Sequence, residues 1–163
     1  MVSEIMRKMI DYSDGSHHDI NHFTKVWAHA KTIGELEGLD ADTQNILEIA
    51  AIVHDIACPS LRARYGTANG KLQEIEGPPM ARELLRDTGL TDAQIDRIAF
   101  LVGHHHTPAE ADGPDYQILI EADYIVNADE SSYSPENIRS THDTIFKTAS
   151  GKKMLESIFK LTV

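Results

Sequence analysis

Apolar residues recur at helical spacing along almost the whole chain, and no segment shows the period-two alternation and β-branched enrichment of a strand. This periodicity reads as an all-α fold. The chain's 163 residues suit one domain, 1–163, with one sizeable core. A first helix is expected from about Ile20 to Glu37, carrying the stripe His22, Val26, His29, Ile33 and Leu36, with Asp19 as its N-cap and Gly38 as its end. A second begins near Asp42, carries Ile46, Ile49, Ala50, Val53 and Ala57, and stops before Pro59, because a residue preceding proline is pushed out of the helical region. The segment Leu61 to Gly70, which has no strong apolar period, reads as a loop or lid. Helical pattern resumes over about Pro78 to Asp87. Thr91 caps the next helix, which carries Ile95, Ile98, Leu101 and Val102 into His104-His105-His106, and another covers about Asp115 to Asn127. Ser134-Pro135 opens the C-terminal helices, about 134–161, where Met154, Leu155, Ile158 and Phe159 form a short stripe.

Polar residues interrupt the apolar stripes at His22, at His54-Asp55 and at Asp123. Burying a polar group without a partner costs roughly 2–7 kcal/mol even before its charge is counted, so these interruptions call for a cation. A lone histidine on an apolar face is most often a satisfied core residue, and an Asp-Tyr pair is often a solvated helix flank. Here three separate expected helices each offer a metal-competent group. Two imidazoles and two carboxylates supply nitrogen and oxygen ligands, and the two negative charges neutralise one divalent ion; manganese, iron, zinc, cobalt and nickel all suit the set. His54-Asp55 and the histidine triplet both stand at proline-stopped helix ends, where unpaired carbonyls favour a cation.

Composition narrows the partners. A formal net charge of -11 repels phosphate backbones, so polymeric nucleic acid is not expected, although a local cation can capture a small anion. No apolar run approaches the roughly 18 residues of a membrane span, and the opening residues MVSEIMRKMI, with Glu4 among them, do not read as a secretory signal. The single cysteine, Cys58, excludes an internal disulfide framework and fits a reducing cytoplasm, the expected location. Walker-type and GxSxG motifs are absent. Homo-oligomerisation is left open.

The order His22, His54-Asp55, Asp123, within the phrases NHFTKVWAHAKTIGELEGL, EIAAIVHDIA, FLVGHHHT and EADYIVN, resembles the HD-domain metal-dependent phosphohydrolase superfamily over roughly Asp19 to Asn127. The resemblance implies a bundle of five or more helices in which His22, His54, Asp55 and Asp123 bind the metal. Lys25 occupies the place where many members carry arginine, and is a candidate phosphate contact. Members with two metals add histidines between the HD pair and the last aspartate. GHHHT resembles one such place, making His104 and His105 candidates for a second ion, with His105 on the face of Ile98 and Leu101. Gln73 departs from the pattern where a histidine often stands, with Glu74 and Glu76 nearby as substitute ligands.

The implied activity is hydrolysis of a small phosphate ester, a nucleotide being the expected substrate, by a metal-activated water. Asp55 would ligate the metal and orient or deprotonate that water, and His104 or His105 would assist the developing charge. Arg62, Arg64 and Lys71, after the HD pair, are candidate phosphate clamps. Two alternatives stand beside this reading: a di-iron oxygenase, against which Gln73 argues, and a metal- or nucleotide-binding module without turnover. All three require His22 and Asp123 to meet.

Overall fold

Among residues 1–161, which the computed structural model describes, the chain forms nine α-helices and no strand. They are α1 (Val2–Tyr12), α2 (His17–Glu37), α3 (Ala41–Val53), α4 (Cys58–Tyr65), α5 (Gly70–Leu85), α6 (Asp92–Val102), α7 (Pro114–Glu130), α8 (Pro135–Thr144) and α9 (Ala149–Phe159), with a 3-10 turn at Pro108–Glu110. Positions 162 and 163 of the expected domain lie outside the described residues. The helices α2, α3 and α7 pack against one another at the centre, α1 and α6 lean on α3, and α5 pairs with α6. One apolar cluster runs through them, including Phe23, Val26, Ile33, Ile49, Ile52, Leu101, Ile118 and Leu119. The all-α bundle is the expected one.

Several boundaries differ from the sequence expectation for identifiable reasons. α2 starts earlier, because Ser16 is its N-cap: the Ser16 side chain accepts from the Asp19 N–H, while Asp19 sits in the first turn, where its charge complements the helix dipole. Its C-terminus is closed by Gly38 at φ 75°, with Gly38 N–H donating to Glu35 O and Leu39 N–H to Gly34 O. Residues 35–38 all lie exposed, so Leu36, 67% exposed, leaves the buried stripe. α1 was not foreseen; its Ile5 and Met9, one helical turn apart, are buried.

α3 ends at Val53, and Pro59 starts α4 instead of stopping α3. Proline lacks an N–H, and the N–H groups of a helix's first turn have no intrahelical hydrogen bond to lose. The expected loop from Leu61 is therefore helical as far as Tyr65, anchored by fully buried Leu61. α5 begins eight residues before Pro78, with the Asn69 side chain accepting from the N–H groups of Lys71 and Leu72. It carries Pro78 and Pro79 internally where it meets the end of α6. A Cβ at Gly77 would stand 2.7 Å from Val102, and one at Gly103 2.9 Å from Pro78, so two glycines permit this close approach. The capping box at Thr91 and the Ser134 cap of α8 match their expected places.

Candidate metal centre

His22 stands on the buried face of α2, His54 and Asp55 in the turn that follows α3, and Asp123 in the middle of α7. Packing of these three helices brings their side chains to one point. His22 Nε2 lies 3.3 Å from His54 Nε2 and 3.2 Å from Asp123 Oδ1, and His54 Nε2 is 3.4 Å from the same oxygen. Asp55 Oδ2 is 3.5 Å from His22 Nε2 and 3.6 Å from His54 Nε2. His105, in the turn after α6, joins from the other side, its Nε2 3.5 Å from Asp55 Oδ1. His22, His54, His105 and Asp123 are buried, whereas the Asp55 side chain keeps 28% exposure and so faces an entrance.

Each imidazole is held by its far nitrogen. His54 Nδ1 donates to Ala51 O at 2.9 Å, and His105 Nδ1 donates to Val102 O at 2.9 Å, the same backbone-three-before arrangement used twice at helix ends. His22 Nδ1 donates to Glu130 Oε2 at 2.8 Å. In the neutral rings, protons on Nδ1 leave three Nε2 lone pairs pointing at carboxylates and at each other, a set of acceptors without a donor. His105 Nε2 is buried with no hydrogen-bond partner. Such a constellation fits a divalent cation: the donor atoms are nitrogen and oxygen, and two groups, His22–His54–Asp123 and His54–Asp55–His105, gather theirs within 4.8 Å.

Electrostatics agree. Burial lowers the basicity of His54, but the Asp55 and Asp123 carboxylates outweigh it and push its pKa up to about 9. Burial opposes ionisation of Asp55, yet His54 and His105 hold it well below the usual carboxylate range; Asp123 is held down in the same way by hydrogen bonds from His22 and His54. Without a metal, protons on the imidazoles supply the positive charge that the carboxylates demand.

The remaining candidates separate. Lys25 Nζ lies 2.6 Å from Glu130 Oε1 and so braces the partner of His22. Arg62 pairs with Asp19 and Arg64 with Glu76, both on the exposed side of α4, and Lys71 stands exposed in the first turn of α5. Glu76, committed to Arg64, is not in the cluster. Glu74 accepts from the His106 N–H at 3.1 Å and from Thr107 Oγ1 at 2.9 Å, so it fastens the histidine turn instead of facing the centre. His104 also turns away: its Nδ1 donates to Phe100 O at 2.7 Å and its ring stacks on Phe100. Of the second-ion candidates only His105 reaches the cluster.

Two residues, Glu130 and Asn127, escaped the sequence reading. Glu130 is seven residues, two helical turns, beyond Asp123, and that spacing is the signal that would have found it. Asn127 Nδ2 donates to Asp123 Oδ1 at 2.8 Å, one turn from it. Gln73 is buried, its Oε1 3.0 Å from His106 Nε2, in the place where a histidine ligand was looked for. Beside Asp123 opens a cleft of about 290 Å³ lined by Tyr124, Asn127, Tyr133, Thr141, His105 and His106 among others. Its two tyrosines supply aromatic surface that no sequence motif announced.

An all-helical bundle that converges H, HD and D side chains from separate helices on one buried point has the fold and site of an HD-type metal-binding domain. The chain belongs to the HD-domain family: that family's model matches residues 19–134. The family consists generally of metal-dependent hydrolases. Among solved structures, a predicted HD superfamily hydrolase from an uncultured Thermotogales bacterium is 24% identical, is matched over 97% of this chain and 84% of that one, and has a TM-score of 0.70, a likeness of fold. A comparison with curated proteins finds no match.

Proposed function

We propose that the chain is a metal-dependent phosphohydrolase acting on a small phosphate ester, a nucleotide in particular, and that His22, His54, Asp55 and Asp123 hold its metal. The observation that carries this reading is the convergence of three Nε2 lone pairs and two carboxylates, with one imidazole nitrogen left without any partner. A divalent ion bound there would polarise a phosphoryl oxygen and lower the pKa of a water from about 15.7 toward about 7. Asp55 would act on that water. One of its oxygens faces His22 and His54, the other faces His105, and its side chain is the most exposed of the four. Asp55 would take up the water's proton, and His105, 3.5 Å away, would share it and return it to the leaving oxygen. His104, facing Phe100, takes no part.

The partner in this reading is the small phosphorylated substrate alone, and a reducing cytoplasm is the compartment that buried Cys58 fits. The test is elemental analysis of protein purified without chelator or affinity tag, followed by phosphate release from a panel of esters with oxygen uptake monitored in parallel. The expected result is about one divalent ion per chain, phosphate release and no oxygen consumption. Metal-free protein, or oxygen uptake without phosphate release, would overturn it.

A further inference from the structure

The cleft beside Asp123 differs in character from the rest of the molecule. Its lining offers the rings of Tyr124 and Tyr133, 5.7 Å apart and tilted by 51°, together with Ile120 and Ile145, and among the described residues no lysine or arginine takes part. Three of the four candidate phosphate contacts are already engaged, Lys25 by Glu130, Arg62 by Asp19 and Arg64 by Glu76, and the fourth, Lys71, stands exposed in the first turn of α5 and does not line the cleft. The whole chain carries a net charge of -11. A single phosphate can bind the metal ion directly through its oxygens. Further phosphates in the cleft would lie in an acidic field with no lysine or arginine lining it, at a cost that low ionic strength enlarges.

The way Tyr133 is presented adds a second, independent observation. After α7 the chain reverses through Ser132, held at φ 50°, with Ser132 N–H donating to Asp129 O and Tyr133 N–H to Ala128 O. Glycine is the usual occupant of that left-handed position, and a residue with a Cβ is strained there. The turn delivers Tyr133 to the cleft 39% exposed, an aromatic face only partly covered by the protein itself. About 290 Å³ lies just below the roughly 300–1,000 Å³ of pockets for drug-sized ligands, room for one ring-bearing group.

We infer that the cleft selects phosphomonoesters whose leaving group is uncharged and ring-bearing, with Tyr133 as a specificity-determining residue, and that it rejects di- and triphosphates. This inference rests on the phosphohydrolase reading. The experiment uses metal-loaded full-length protein and compares each common nucleoside 5′-monophosphate with its di- and triphosphate, and phenyl phosphate with propyl phosphate. The expected kcat/KM is at least ten-fold higher for the monophosphate of each series. Tyr133→Ala is expected to reduce the preference for phenyl over propyl phosphate by about five-fold, mainly through KM. Triphosphates turned over as well as monophosphates, or a Tyr133→Ala variant with an unchanged preference, would overturn the inference while leaving the hydrolase reading intact. If no ester is hydrolysed, the hydrolase reading fails by itself, and calorimetric titration with the same nucleotides decides the cleft: tighter monophosphate binding upholds its selectivity, and equal or weaker binding refutes it.

Discussion

At the scale of single residues, the candidate metal centre rests on what each imidazole does with its second nitrogen. His54 and His105 give theirs to a backbone carbonyl, which no side-chain substitution removes, whereas His22 depends on Glu130. Glu130→Gln is therefore expected to raise the metal dissociation constant by about 10–100-fold, as loss of an outer-shell carboxylate typically does, with helicity retained; titration calorimetry checks it, and unchanged affinity would remove Glu130 from the centre. Asp55→Ala is expected to release the metal and abolish turnover while far-UV circular dichroism keeps most of its helical signal; unchanged metal content would contradict the assignment. The pH dependence follows from His54, whose pKa is raised to about 9 by its carboxylate neighbours once burial is outweighed. In metal-free protein that pairing stabilises the fold fully below the ordinary imidazole value of 6.5 and is lost as pH rises through about 9. Seating a cation expels the same proton, so metal affinity should climb across that interval. The melting-temperature gap between metal-loaded and chelated protein is expected to widen from pH 6.5 to 9, and a constant gap would refute the linkage.

At the scale of elements, much was legible because apolar periodicity and caps are local. Thr91, Gly38 and Ser134 mark real helix ends, and the four residues proposed as ligands could be picked out because each breaks an apolar stripe. Pro59 misled because a proline before a turn and a proline opening a helix look the same in sequence; burial of Leu61 decided between them. The three consecutive histidines could not be told apart without coordinates. The chain leaves helical geometry at Gly103, and each ring then finds a different partner: Phe100 for His104, Asp55 for His105, Gln73 for His106. Glu121 was equally hidden, a fully buried carboxylate of α7 that reads as part of the apolar face. It accepts from the N–H groups of Lys147 at 2.7 Å and Thr148 at 3.0 Å, from Thr148 Oγ1 and from Gln117 Nε2, and so ties the α8–α9 connection to α7. Glu121→Ala strands several buried donors and is expected to cost about 2–4 kcal/mol by urea denaturation; a loss under 1 kcal/mol would show that the connection is held by other contacts.

At the scale of the molecule, the residues of the candidate metal centre lie far apart along the chain: His22 and His54 are separated by 32 positions, and His22 reaches its partner Glu130 across 108. The unfolded chain therefore presents no assembled site, and a cation that binds only the folded form stabilises it. At a free concentration near 100 times the dissociation constant the gain is about 2.7 kcal/mol, worth roughly 5–10 °C in Tm for a domain of this size. Scanning calorimetry before and after exhaustive chelation is expected to show that shift, and coincident melting curves would argue against a site of this kind. Among the described residues no helix is long and apolar enough to cross a membrane.

Three helices meeting at one point have a mechanical consequence. A chain whose single cysteine cannot make an internal bridge would gain, on taking up an ion, something equivalent to a rivet through its middle layers. Slow amide exchange should then concentrate where α2, α3 and α7 cross, leaving α4 free to breathe.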